Sequence, residues 1–119
     1  MAKDDFHVIV YQLLAYLYTC LKRGEEPDPK RLCADSDFFK ANGQALNAKY
    51  WAYIVYNMHR LGLIDGVVFA EMDGLNHPYP VNLDGCMITP LGIEYLTDNA
   101  FIAKAKEFLK DIKAIVPFV

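Results

Sequence analysis

Five residues with helical spacing carry the clearest chemistry in this chain: Lys49, Tyr53, Tyr56, Asn57 and Arg60. At about 100 degrees per residue, Lys49, Ala52, Tyr53, Tyr56 and Arg60 project to one side, with Asn57 at the edge. The set suits a DNA duplex. An arginine pairs with a guanine edge or a phosphate, a lysine with phosphate, an asparagine with adenine, and tyrosine hydroxyls with phosphate or sugar. It also suits a protein interface, because Tyr50, Tyr53 and Tyr56 on one short helix are the residue type that anchors such contacts. Asn76 and His77 form a second group, at the tip of a turn-rich stretch, where both can hydrogen-bond without adding fixed charge.

Other chemistries find less support. Cys86, His77 and Asp73 supply the types of a nucleophile, a base and an orienting group, but nothing in their spacing requires them to meet, and a cysteine in a strand is usually a small hydrophobe. No phosphate-cradling GxGxxG or GxxxxGK[ST] occurs. The three cysteines, Cys20, Cys33 and Cys86, contain no CxxC pair, and the three histidines, His7, His59 and His77, make no ligand spacing with them. The expectation is a binding protein with reduced thiols: not an enzyme, with no metal and no cofactor.

The elements that position the five residues follow from periodicity and caps. Apolar residues at Phe6, Ile9, Val10, Leu13, Leu14, Leu17, Cys20 and Leu21 predict a first helix, begun near Asp4 and Asp5 and stopped by Lys22, Arg23 and Gly24. Asp28 and Pro29 predict a short helix through about Cys33. Phe38 and Phe39 then anchor an irregular segment to the core. Asn47 caps a third helix to Leu61, with Trp51, Ile54, Val55, Met58 and Leu61 inward and Trp51 buried against the first helix. Gly62 ends it.

LIDGVVFAEM reads as a strand, DGLNHPYPVNLDG as a long tip, and Cys86 to Ile88 as the returning strand. In TPLGIEYL, Thr89 is the cap and Pro90 the first helical residue, while Gly92 admits close approach of the hairpin backbone. After a break at Asn99, Phe101, Ala105, Phe108, Leu109, Ile112, Ile115 and Val116 form the stripe of a last helix stopped by Pro117. A stripe this broad predicts a homodimer through the C-terminal helix.

This order gives a mainly α fold with a β-hairpin (α+β), a winged helix-turn-helix with an added C-terminal helix. The 119 residues are expected to form a single winged-helix domain, with the wing at about 63–89 and C-terminal helices at about 90–116. The apolar run from Phe6 to Leu21 is interrupted by His7, Gln12 and Thr19, too polar for a membrane span. MAKDD has the wrong charge to begin a signal peptide. The expected location is the cytoplasm.

HRLGLIDGV and ITPLGIEYLTDNAFIAKAKEFLKDIKAIV resemble the corresponding parts of the YjcQ-like family of small winged-helix proteins found in bacteria and their prophages. The resemblance runs from about Asn47 to Pro117 and is looser before that. The family has no defined biochemical function and offers no catalytic residue. Its fold implies double-stranded DNA as partner, read by the third helix, in the manner of a phage-related transcriptional regulator. Charge opposes that reading. Residues 63–99 hold six Asp or Glu and no Lys or Arg, whereas residues 1–62 hold eight basic and seven acidic groups. A wing bearing Asp65, Glu71, Asp73 and Asp84 repels phosphates. The alternative is a winged-helix protein-interaction module without DNA binding.

Overall fold

The chain is seen in a computed structural model that describes residues 1–40 and 43–113. The repeating apolar positions of the N-terminal run form helix α1, Phe6–Arg23, whose residues Val8 to Ala15 are all buried, as are Leu17 and Cys20. Such all-round burial requires neighbours on several sides, and α1 packs against each of the other α-helices and against the last strand. It is the central rod of the structure. Asp28 accepts a hydrogen bond from the Lys30 amide and opens a 3-10 turn at Pro29–Arg31, one turn of the short helix expected there. Phe38 and Phe39 follow and are fully buried.

The Asn47 side chain accepts from the amides of Lys49 and Tyr50 and caps helix α2, Ala48–Arg60. Gly62 closes it at φ +78°, with its own amide on the His59 carbonyl and the Leu63 amide on that of Met58. This pair of bonds is the Schellman arrangement, which needs a left-handed residue and so favours glycine. Trp51, Ile54, Val55 and Met58 are buried as expected. Trp51 is 3 % exposed and its ring lies 5.4 Å from that of Phe39, so the irregular segment supplies its aromatic partner. Two side chains depart from the projection. Ala52 is buried rather than outward, and Leu61, just past the helix end, is 47 % exposed.

The hairpin is built differently from the single long-tipped pair expected. Its base is β1, Ile64–Asp65, paired antiparallel with β4, Met87–Ile88. Beyond it, β2, Val68–Ala70, pairs with β3, Tyr79–Asn82, in a second two-stranded sheet with a register shift between Val68 and Phe69. The predicted tip therefore contains a strand, Tyr79–Asn82, that Pro80 and Asn82 conceal, since both residue types are depleted in strands.

Helix α3, Pro90–Asp98, starts on Thr89, whose hydroxyl accepts from the Gly92 amide and donates to the Gly62 carbonyl. A Cβ at Gly92 would collide with the Leu63 carbonyl, so glycine in the first turn is what allows the hairpin base to lie against this helix. Asn99 ends α3 and caps α4, Ala100–Asp111, by accepting from the amides of Phe101 and Ile102. The face of α4 that is buried is Ile102, Ala105 and Leu109, while Phe101 and Ile112 are exposed. Ile115, Val116 and Pro117 lie outside the described residues. The architecture is mixed α+β, mostly helical, with two small antiparallel two-stranded sheets. No helix among the described residues is long and apolar enough to cross a membrane.

Three stability measurements test this packing. Trp51→Ala should cost about 3 to 5 kcal/mol in urea denaturation followed by far-UV circular dichroism. Gly92→Ala, ordinarily favourable inside a helix, should instead cost about 1 to 3 kcal/mol, because the Leu63 carbonyl cannot move without opening the hairpin base. Gln12 is fully buried with neither amide atom hydrogen-bonded, so Gln12→Leu should raise stability by about 1 to 3 kcal/mol.

Candidate binding face on helix α2

The outward side of α2 is a line of rings closed over by the hairpin. His77, beyond the β2 end of the hairpin, stacks on Tyr56 with centroids 5.4 Å apart and planes at 16°. It also meets Tyr53 edge-on at 6.2 Å. Phe69 of β2 stands edge-to-face on Tyr56 at 6.1 Å and tilts against His59 at 4.9 Å. Tyr53 continues the line on its other side to Phe6 at 6.3 Å. Phe6 meets His7 at 5.3 Å, and His7 stacks on Phe101 of α4 at 4.9 Å. Eight rings from α1, α2, α4 and the hairpin thus form one ribbon that takes in every histidine of the chain. Offset and edge-to-face pairs each add about 0.5 to 1.5 kcal/mol beyond burial. The ribbon therefore holds the hairpin against α2.

Each sequence-predicted site residue has a definite place in this arrangement. Tyr53 remains half exposed, while Tyr56 is only partly accessible beneath His77 and Phe69. Asn57 is engaged on both sides of its amide: its Nδ2 donates to the Tyr53 carbonyl at 2.8 Å, and its Oδ1 accepts from Arg60 Nε and an Arg60 terminal nitrogen at 3.3 and 3.0 Å. Lys49 and Arg60 are exposed at opposite ends of the helix. Eleven residues of helical rise separate them by about 16 Å. Asn76 is exposed at the tip beside the partly buried His77. Tyr50, on the neighbouring side, donates its hydroxyl to the Asp4 carbonyl at 2.6 Å and ties the N-terminal segment to α2.

Sequence reasoning missed Phe69 and Phe6, which it assigned to the strand and helix cores. Alternation within VVFA was the available signal, because Val68 and Phe69 must face opposite sides of a two-stranded sheet. The hairpin carboxylates Asp65, Glu71, Asp73 and Asp84 are all exposed. Among the described residues the sole ion pair joins Lys40 and Asp37, so none of those four is neutralised by a cation.

The residue types weighed for nucleophilic chemistry are disposed for other ends. Cys86 is buried at the hairpin base, where burial first and the Asp65 carboxylate second push its thiol up to about 12, opposite to the shift that makes a nucleophile. His77 has its ring against Tyr56 and its Nδ1 3.2 Å from the Pro78 carbonyl. Cys33 bonds locally, its Sγ donating toward the Lys30 carbonyl and the Asp35 carboxylate at 3.1 and 2.9 Å. No group of three or more metal-ligating side chains occurs among the described residues.

The Cys86 shift has a pH consequence. At neutral pH the thiol is protonated in both the folded and unfolded chain and contributes no difference. From about pH 9 toward 12 the unfolded thiol ionises first, so stability falls with rising pH. Tyr11, pushed up to about 12 by burial, adds to the fall above pH 10. Cys86→Val should leave the urea midpoint at pH 7 nearly unchanged and flatten its decline from about pH 9 toward 12, the range between the ordinary and shifted thiol values.

Comparison with known proteins adds one finding. Neither the curated proteins nor the solved structures contain a match. The model of the YjcQ protein family matches residues 11–115, reaching well into the N-terminal half where the resemblance was loose, and the chain belongs to that family.

Proposed function

We propose that this chain is a winged helix whose reading helix and wing together form a protein-binding face. The order of elements supports the winged-helix reading: α1, a short helical turn, α2, an antiparallel hairpin, then α3. One observation carries the choice of partner, the closure of His77 and Phe69 over Tyr53 and Tyr56. A helix that reads the major groove inserts its middle outward face between the phosphate strands. Here that middle lies under a wing with no Lys or Arg. What stays accessible is an aromatic edge at Tyr53, a residue type suited to protein contacts.

Lys49 and Arg60 favour DNA as a second reading, since both are exposed and neither is paired with a carboxylate. In that reading the two cations grip phosphates and the wing swings off α2. The catalytic alternative has no comparable support, and we assign the chain a binding role.

Fluorescence anisotropy with duplex DNA between about 50 and 200 mM salt separates the two. The protein-binding reading expects no salt-sensitive binding even at the low end. It also expects a photo-crosslinking amino acid at position 53 to capture one discrete protein in cells, with capture lost on Tyr56→Ala because aromatic anchors dominate such interfaces. The DNA reading prevails if binding appears, if Lys49→Ala and Arg60→Ala each lower the salt slope by about one counterion, and if Asp73→Asn strengthens binding.

A further inference from the structure

On another face of the molecule, α1 and the α3–α4 corner enclose a cleft of about 710 Å³. That volume lies in the range of small-molecule sites, roughly 300 to 1,000 Å³. Its floor is apolar, formed by Ala15, Leu96, Ile102 and the ring of Tyr11. Its rim is cationic. Lys22 and Arg23 come from the last turn of α1, and Lys106 comes from α4. Glu107 is the one carboxylate among the lining residues, against three cations.

We propose that this cleft binds a small amphipathic anion, an acyl or aryl body with a carboxylate or phosphate head. Charge and apolarity point to the same ligand from two directions. The chain has a net charge of −3, yet three of its 12 cations converge here, and among the described residues none of them makes an ion pair with a carboxylate. Lys22 instead stands 4.4 Å above the Tyr18 ring. Cations over low-dielectric walls focus a positive potential into the cleft.

A purely inorganic anion would answer that potential and leave the floor wet. An uncharged hydrocarbon would cover the floor and strip water from unpaired cations at a cost. A molecule with an apolar body and one anionic end satisfies both. The hydroxyl of Thr19 lies on the rim, within reach of the head group of such a ligand.

Decanoate and decyl phosphate, titrated below their aggregation thresholds into the full chain and followed by amide NMR shifts, test the assignment. Saturable shifts at Tyr18, Thr19 and Lys106 are expected, and the tighter of the two ligands identifies the preferred head. Inorganic phosphate should bind at least about tenfold more weakly for want of apolar burial. The doubly charge-reversed Arg23→Glu, Lys106→Glu should weaken decanoate at least about tenfold. Ala103→Trp, on the exposed wall, should fill the cleft and block it. These positions are exposed, and circular dichroism confirms that each variant is folded. Absence of saturable shifts in folded protein overturns the proposal. So does decyltrimethylammonium binding as tightly as decanoate, or an affinity indifferent to charge reversal, since either would mark a merely greasy surface.

Discussion

The elements that follow α2 take their direction from one small knot of polar groups around Thr89. Its amide donates to the Leu63 carbonyl, its hydroxyl donates to the Gly62 carbonyl, and the same hydroxyl accepts from the Gly92 amide in the first turn of α3. Three elements meet there: the end of α2, the base of the hairpin and the start of α3. A buried backbone group without a partner is costly, so this closure sets both the direction in which the hairpin leaves and the angle at which α3 returns to α1. Gly92 makes the knot possible, because a side chain at that position would occupy the space of the Leu63 carbonyl.

From that base the hairpin reaches across α2, and its inner face explains why the outward side of that helix is not open. Phe69 and Pro80 are opposed in the β2–β3 register, Pro80 is buried, and Phe69 lies on Tyr56 and His59. Burial of these apolar groups favours the hairpin on the helix, whereas cationic side chains there would favour a hairpin extended into solvent. The charge pattern and the packing therefore agree. The outward side of α2 is organised around aromatic contacts, with Tyr53 at its open edge.

Much of this was legible from the chain because caps are local. Asn47, Thr89 and Asn99 each act on amides two or three residues away, and the Gly62 stop depends on one dihedral, so short windows contain the whole of their physics. The family resemblance rested on such a segment and proved to extend over residues 11–115. What could not be read was the number of neighbours. A helical projection finds the apolar side of α2 and is blind to β3, which packs on the same helix and widens the buried arc, in keeping with the burial of Ala52. The strand Tyr79–Asn82 is itself hidden by its composition. The cleft beside α1 was equally invisible, since Lys22 and Lys106 stand 84 positions apart in the sequence and only the packing of α1 against α4 joins them.

The aromatic ribbon also gives the molecule an internal set of magnetic reporters. Each histidine ring sits against another π-system, His7 on Phe101, His77 on Tyr56 and His59 on Phe69, so ring currents displace their carbon-bound protons from the positions of a free imidazole. The first reads the meeting of α1 and α4, and the other two read the seating of the hairpin on α2. Any partner, solvent or substitution that lifts the hairpin from α2 collapses two of these displacements and spares the third. The native histidines thus resolve movement of the hairpin from general loosening without any label.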